Sequence, residues 1–504
     1  MRHRLPVTFR ALALALAALL LRGSLASAAA DSPLVVYPFP PGLPASSRFQ
    51  ITVDGQAVFT HAAEVADFAM FAIRGPVQVT VTCHERVTNA VLRPRSRNIV
   101  PQWDAQTVRF TVDSPGPLSL EINGKIRPAL LLFIDPPEDS PPAPGTPQIV
   151  RFAGGQLHDV GEIQLGSDQT LYLEPGAVVR GTVRAVGADR IRILGRGIFD
   201  GRPRTTKTQF LDFRSCSQVE LSDVLVLGSY GWTIVPWNCR DVQLTNVKVF
   251  SWRDNDDGLD ICSSRNVTVD RCFFRTKDDC IAIKAPRKEY FPAADSAGKV
   301  SSATASETDF DVDNVLVRRS VFWNAEWGNA LEIGFELLTP HVRSIVWRDC
   351  DIIRVEAGAV FSIHNGDSAS VEDVRFENIR VEDARDKLID LRVGLSIYSQ
   401  DCPERYHRRN PQRTPTGAGQ WVPWDKLSAD EQAVARRNRG VIRNVHLVDI
   451  QLLEQVPPRS FLVNSGGELS DVRFRNVRQG DRVLTSPEDL GLVVEDATGV
   501  RFAR

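Results

Sequence analysis

Asn255-Asp256-Asp257-Gly258-Leu259-Asp260-Ile261 is followed by Asp278-Asp279-Cys280-Ile281-Ala282-Ile283, with Asp279 placed 22 residues after Asp257. Each segment sets a carboxylate pair just before a short apolar strand. That offset is about one turn of a parallel β-helix, in which stacked strands lie ~4.8 Å apart. The two acidic pairs would then meet on one face. Converging carboxylates can divide into an acid and a base, the equipment of glycoside hydrolysis.

The surrounding repeat supports that geometry. From residue 150 onward an apolar residue recurs at a start position and at +2, +5 and +7. It reads Val219, Leu221, Val224, Val226, then Val242, Leu244, Val247, Val249, and Val267, Val269, Cys272, Phe274. Further copies start at Val315, Ile345, Val374, Val445 and Val472. Alternation within each half is strand-like, and the step from +2 to +5 marks a bend. Eight copies at spacings of 23 to 30 residues, apart from two long gaps, predict a solenoid. Asn or Asp precedes several starts (Asn266, Asn314, Asp373, Asn444), as tight corners require. An antiparallel sandwich has no reason to keep one phrase through eight units.

A further strand per coil follows from aligning Ile261, Ile283, Ile333 and Ile363. The residues before them are Asp260, Ala282, Glu332 and Ser362; those after are Cys262, Lys284, Gly334 and His364. Neighbours of a core-facing residue point to the other side of a strand. Asp260, Lys284, Glu332 and His364 are therefore expected to face outward beside the acidic pairs, as a sugar-binding row.

The chain has 504 residues, 43% hydrophobic and 24% charged, with formal net charge −2. That is globular composition with length for two domains, and it gives no sign of nucleic-acid binding. Residues 1–29 read as a signal peptide: Arg2 and Arg4, an apolar run over Ala11–Leu21, then Ala26-Ser27-Ala28. No segment is expected to span a membrane, so the mature protein should be secreted or periplasmic, and a monomer. Cys216, Cys239 and Cys262 recur 23 residues apart. A buried sulfur stack is favoured over disulfides for most of the eight cysteines. Scattered histidines and the lack of Cys-x-x-Cys suggest neither zinc nor a Cys–His nucleophile, and no cofactor is expected.

Residues 30–135 form a separate pattern. Val53-Asp54-Gly55-Gln56 and Ile122-Asn123-Gly124-Lys125 are hairpin signals between alternating strands such as Phe49–Val53. They predict a small antiparallel β-sandwich. Residues 136–149, rich in proline, predict a stiff linker to a β-helix over 150–504. Two insertions are expected to interrupt the coils, at Ala285–Thr308 and Gln400–Arg439. The second carries Tyr406, Trp421 and Trp424, with Tyr398 just before it, and such rings suit the apolar faces of sugars.

With these residues in place, a family resemblance emerges. Asn255-Asp256-Asp257-Gly258, Asp278-Asp279 and Gly328-Asn329-Ala330 resemble the Asn-Thr-Asp-Gly, Asp-Asp and Gly-His-Gly series of the polygalacturonases, glycoside hydrolase family 28. A sandwich before the helix resembles the dextranase and isopullulanase group, family 49. The resemblance implies an all-β, right-handed parallel β-helix and metal-free, inverting hydrolysis of a poly- or oligosaccharide. It implies that Asp278 is the general acid and that Asp257 and Asp279 activate water. Asn329 stands at the family's His. It joins Asp260, Lys284, Glu332 and His364 as a candidate substrate-binding residue. The family's Arg-Ile-Lys is Ser362-Ile363-His364 here. A neutral Ser and a mostly neutral His would pair poorly with a uronate carboxylate, so a neutral glycan is expected rather than polygalacturonate. The competing readings are a polysaccharide lyase, with Lys284 as the only obvious base, and a non-catalytic carbohydrate-binding helix.

Overall fold

A computed structural model describes residues 33–286, 310–417 and 419–503. The expected signal peptide and most of the first insertion lie outside the described residues. The chain divides into two compact units: residues 1–37, 44–91 and 99–139, and residues 38–43, 92–98 and 140–504.

The smaller unit is built on two sheets, one ordered around Ala66–Ile73 and Lys125–Asp135, the other around Phe49–Val53 and Val77–Cys83. Both hairpins form at the expected residues: Val53 pairs with Gln56 and Ile122 with Lys125. Asp54, Gly55, Asn123 and Gly124 all have positive φ, as a two-residue turn of the favoured twist demands. The sandwich departs from a purely antiparallel one, because Lys125–Asp135 runs parallel to Ala66–Ile73. Both strands are buried nearly throughout, which suits a parallel pair covered on both faces.

The larger unit is a right-handed parallel β-helix, with three strands in a typical coil. The first sheet stacks Ser217–Ser222, Arg240–Thr245, Arg265–Asp270, Val312–Arg318 and His341–Arg348. It continues through Ser370–Val381, Val441–Leu452 and Glu468–Arg475. The predicted register holds at every step: Val219 pairs with Val242, Val267 with Val315, Ile345 with Val374 and Val445 with Val472. The second sheet, including Lys248–Phe250 and Phe273–Thr276, takes the other half of each phrase. Two corners per coil use left-handed residues. One lies just before the start (Asp241, Asn266, Asn314, Asp373, Asn444) and one four residues after it (Asp223, Asn246, Asn378, Asn476). Asn and Asp tolerate this conformation, and their side chains bond along the stack: the Asn314 amide donates to Asn266 and that of Asn266 to Asp241, both at 2.9 Å.

The third sheet carries Ile234–Trp237, Leu259–Cys262, Ile281–Ala285, Leu331–Leu337, Ala359–Asn365 and Lys387–Val393. Ile261, Ile283, Ile333 and Ile363 pair in sequence and are fully buried. The ladder runs one coil further, to Leu391. All eight cysteines are free and buried, so the thiols pack as small apolar groups and cross-link nothing.

Candidate active site

The acidic pairs sit in the bends that lead into the third sheet, and the stack brings them together. One carboxylate oxygen from each of Asp257, Asp278 and Asp279 lies within 4.8 Å of the others. Asp257 is buried, while Asp278 and Asp279 are partly open. The floor is bare backbone. A β-carbon on Gly328 would lie 2.6 Å from oxygens of both Asp278 and Asp279, and one on Gly358 would strike the Gly328 carbonyl at 1.8 Å. Glycine at these two positions lets the backbone of successive coils pack closely, Gly328 directly against the carboxylates and Gly358 against Gly328.

Asp256, next to Asp257 in the first acidic pair, is a structural carboxylate. It is fully buried, and its carboxylate accepts backbone N–H bonds from Arg253, Lys277 and Asp278, each 2.9 Å. Thr276 Oγ1 and the Asn324 side chain donate to the Asp278 carbonyl at 2.7 and 2.8 Å. The bend carrying Asp278 is thus fixed from two neighbouring coils.

Burial, foremost, and the charges of Asp257 and Asp256 raise the Asp278 pKa to about 7 against the opposing pull of Lys284. Asp279 is also pushed well above the carboxylate range, by burial and then by Asp257, Asp278 and Glu332. Interacting carboxyls of this kind titrate as a set. Asp257 is ion-paired: Lys284 Nζ lies 3.1 Å from Asp257 and 3.2 Å from Asp260. Burial opposes a charged Lys284, but Asp257, Asp260 and Glu336 outweigh it and the ammonium is held well above its usual pKa. Asp260 is driven upward by burial and then by Asp257.

The expected open sugar-binding row is corrected. Asp260, Lys284, Glu332 and His364 do face away from the isoleucine ladder, yet all four are buried. Rings cover them. Lys284 lies 4.4 Å from the Trp232 ring, and Phe335 stacks on His364 at 4.5 Å with Trp421 edge-on at 5.7 Å. The expectation of a mostly neutral His364 is also corrected. Burial works against its charge, but Glu332 at 2.9 Å and Asp390 at 3.5 Å outweigh burial and lift its pKa to about 9. This cation is neutralised within the fold and offers no free charge to a ligand. Asn329 connects the row to the acidic cluster. Its backbone N–H donates to Asp279 at 2.6 Å, and its side chain donates to Glu332 at 3.0 Å. The Ala359 N–H donates to its side-chain oxygen Oδ1 at 2.8 Å.

Of the insertion rings, Tyr398 and Trp421 reach the site through Phe335, at 5.0 and 5.3 Å. Tyr406 and Trp424 pack instead with Leu395, Val422 and Leu427, anchoring the loop. Sequence reasoning missed Trp232, Phe335 and Asp390. Carrying the isoleucine ladder on to Leu391 places Asp390 beside Ser362, so Asp390 was within reach.

Residues 195–392 match the sequence model of glycosyl hydrolases family 28. That stretch contains every residue of the acidic cluster and its buried row. The chain is similar to a probable polygalacturonase from Arabidopsis thaliana, 24% identical over 38% of this chain and 43% of the relative. It is also similar to a polygalacturonase from Chamaecyparis obtusa, 31% identical over 18% of this chain and 17% of the relative. The matched part is less than half of either relative. Dex49A from Penicillium minioluteum is similar in fold, with a TM-score of 0.51 at 13% identity over 93% of this chain and 90% of that one.

Proposed function

We propose that this protein is an exported glycoside hydrolase that cleaves a poly- or oligosaccharide by acid–base hydrolysis with inversion. The observation that carries the reading is Asp278. It is a carboxyl whose pKa is raised to about 7, within 4.8 Å of two further carboxyls. A carboxyl that keeps its proton near neutrality can protonate a leaving glycosidic oxygen. Asp257, ion-paired with Lys284, is placed to activate water, and Asp279, accepting from Asn329, joins it only in the state of the coupled set in which its own proton has moved to a neighbour. The carboxyl spacing is short for an inverting enzyme, where ~6.5–9.5 Å is usual. Asp257 and the Asp278–Asp279 pair occupy equivalent positions of adjacent coils, and the ladder spacing of ~4.8 Å holds them close. Proton NMR of the first-formed anomer tests inversion directly; a product with retained configuration would make one Asp a nucleophile.

Nothing about Lys284 favours a lyase. A proton-abstracting lysine must lose its own proton, and Lys284 is held charged between Asp257 and Asp260. The three aspartates could gather oxygens around a cation, but the ammonium 3.1 Å from Asp257 already supplies positive charge there.

A neutral glycan is the proposed substrate. Ser362 is buried and His364 is neutralised by Glu332 and Asp390, so neither answers a uronate carboxylate. The test is kcat/KM across a panel of neutral and acidic glycans, read by reducing sugar. Release from a neutral glycan that is lost in Asp278→Asn supports the proposal. Binding without release, unchanged by that substitution, would make the protein a carbohydrate-binding helix.

A further inference from the structure

The solvent side of the first sheet changes character along the solenoid. The residue one place after each start points away from the core. In register it reads Glu220, Gln243, Thr268, Leu316 and Val346. It then becomes Arg375, His446, Arg473 and Arg501 on four successive coils. A parallel column two places further along contributes Arg475 between Val448 and Ala503. The two columns border a cavity of about 430 Å³ lined by Arg375, His446, Val448, Arg473, Arg475 and Arg501.

Like charges on facing strands oppose each other, yet this column sets Arg473 directly beside Arg501, with His446 between Arg473 and Arg375. Burial, then Arg473 and Arg375, hold His446 below its usual pKa. Internal acids answer only part of the charge: Arg375 meets Glu377 at 3.3 Å and Arg473 meets Asp471 at 2.8 Å. Arg475 and Arg501 are exposed and make no ion pair among the described residues. With net charge −2 over the whole chain, this is local segregation of cations rather than general basicity.

We propose that this groove is a second, non-catalytic binding site that holds a strand of acidic polysaccharide by its carboxylate or sulfate groups. Guanidinium forks match such oxyanions in geometry as well as charge. The column follows the solenoid axis in steps of ~4.8 Å, so Arg375, Arg473 and Arg501, with Arg475 beside them, offer cations over about 14 Å to a linear, repeating anion. A glycan is the polymer of choice because the proposed activity places the protein on glycans, and the assignment rests on that reading to this extent. Single-stranded nucleic acid would want open aromatic rings to stack on; the groove's Phe474 is buried, and the other ring of its lining is the half-buried His446 imidazole.

Binding, not turnover, decides the matter, so it can fail independently of the catalytic reading. Full-length protein carrying Asp278→Asn, which consumes no glycan, is titrated with polygalacturonate, heparin, dextran and single-stranded DNA at low and physiological salt. The expected result is salt-sensitive binding of the two acidic glycans and none of dextran. Replacing Arg375, Arg473, Arg475 and Arg501 together by Gln should weaken that binding on the order of tenfold or more. The milder pair Arg475→Gln/Arg501→Gln removes only the unpaired arginines, and it should show a smaller loss with an unchanged melting temperature. Unchanged affinity in that folded pair, equal binding of dextran, or DNA bound as tightly as the glycans would each overturn the proposal.

Discussion

Asp278 and Asp256 differ in role although they occupy equivalent places on adjacent coils, Asp256 fully buried and Asp278 partly open. With Asp278 as the proposed proton donor, Asp278→Asn should lower kcat/KM by about 10²–10⁴-fold, measured by reducing-sugar release, with the fold retained in circular dichroism. Its pKa also gives a sign. A general acid at about 7 loses its proton as pH rises, so activity should fall on the alkaline side of about pH 7. The same group has ~3.9 in the unfolded chain. Stability it contributes is therefore full below about pH 4 and lost as pH rises through about 7. Asp278→Asn should accordingly melt higher than the parent at pH 8. Asp256, in contrast, holds three backbone N–H groups, including that of Asp278. Each charge-assisted bond is worth about 1.5–3 kcal/mol. Asp256→Ala should cut turnover by misplacing Asp278 while leaving KM less affected; a KM change without a kcat change would contradict the role.

At the scale of the element, the third sheet is a polar ladder laid against an apolar one. His364 is the cation that lets Glu332 and Asp390 be buried on neighbouring strands. Removing one partner of a buried ionic group costs about 3–5 kcal/mol, so His364→Ala should lower the urea midpoint far more than a surface change. His364 has its pKa raised from 6.5 to about 9. Its stabilising contribution is complete below about pH 6.5 and lost as pH climbs through about 9. The parent's melting temperature should fall over that interval, and the fall should be reduced in His364→Ala. The pairing of the isoleucines was legible in the sequence because a two-residue period fixes which side chains share a face. That the opposite side would be covered was not. Trp232 and Trp421 reach it from loops and Phe335 from further along the Leu331–Leu337 strand, and no local pattern announces these contacts.

For the whole molecule, the proposed chemistry draws acid and base from one set of carboxyls and its positive charge from Lys284. Turnover should therefore survive EDTA. Loss of activity in chelator, restored by added Ca²⁺, would overturn the metal-free reading, and a product absorbing as a new double bond would point to a lyase.

What the sequence determined by itself was the repeat, its register and the convergence of Asp257 with Asp278 and Asp279. All three follow from strand periodicity and a roughly constant coil length, which act locally and survive without knowledge of neighbours. The two hairpins were equally local, since Asp54-Gly55 and Asn123-Gly124 need only their own backbone freedom. The tertiary structure alone decided which charges are free. It turned the outward row of Asp260, Lys284, Glu332 and His364 into a buried network, gave His364 its proton and made Asp256 a backbone clamp. Protonation and burial depend on what lies within a few ångströms in space, where charge and dielectric act, and those neighbours come from coils and loops far apart in the chain.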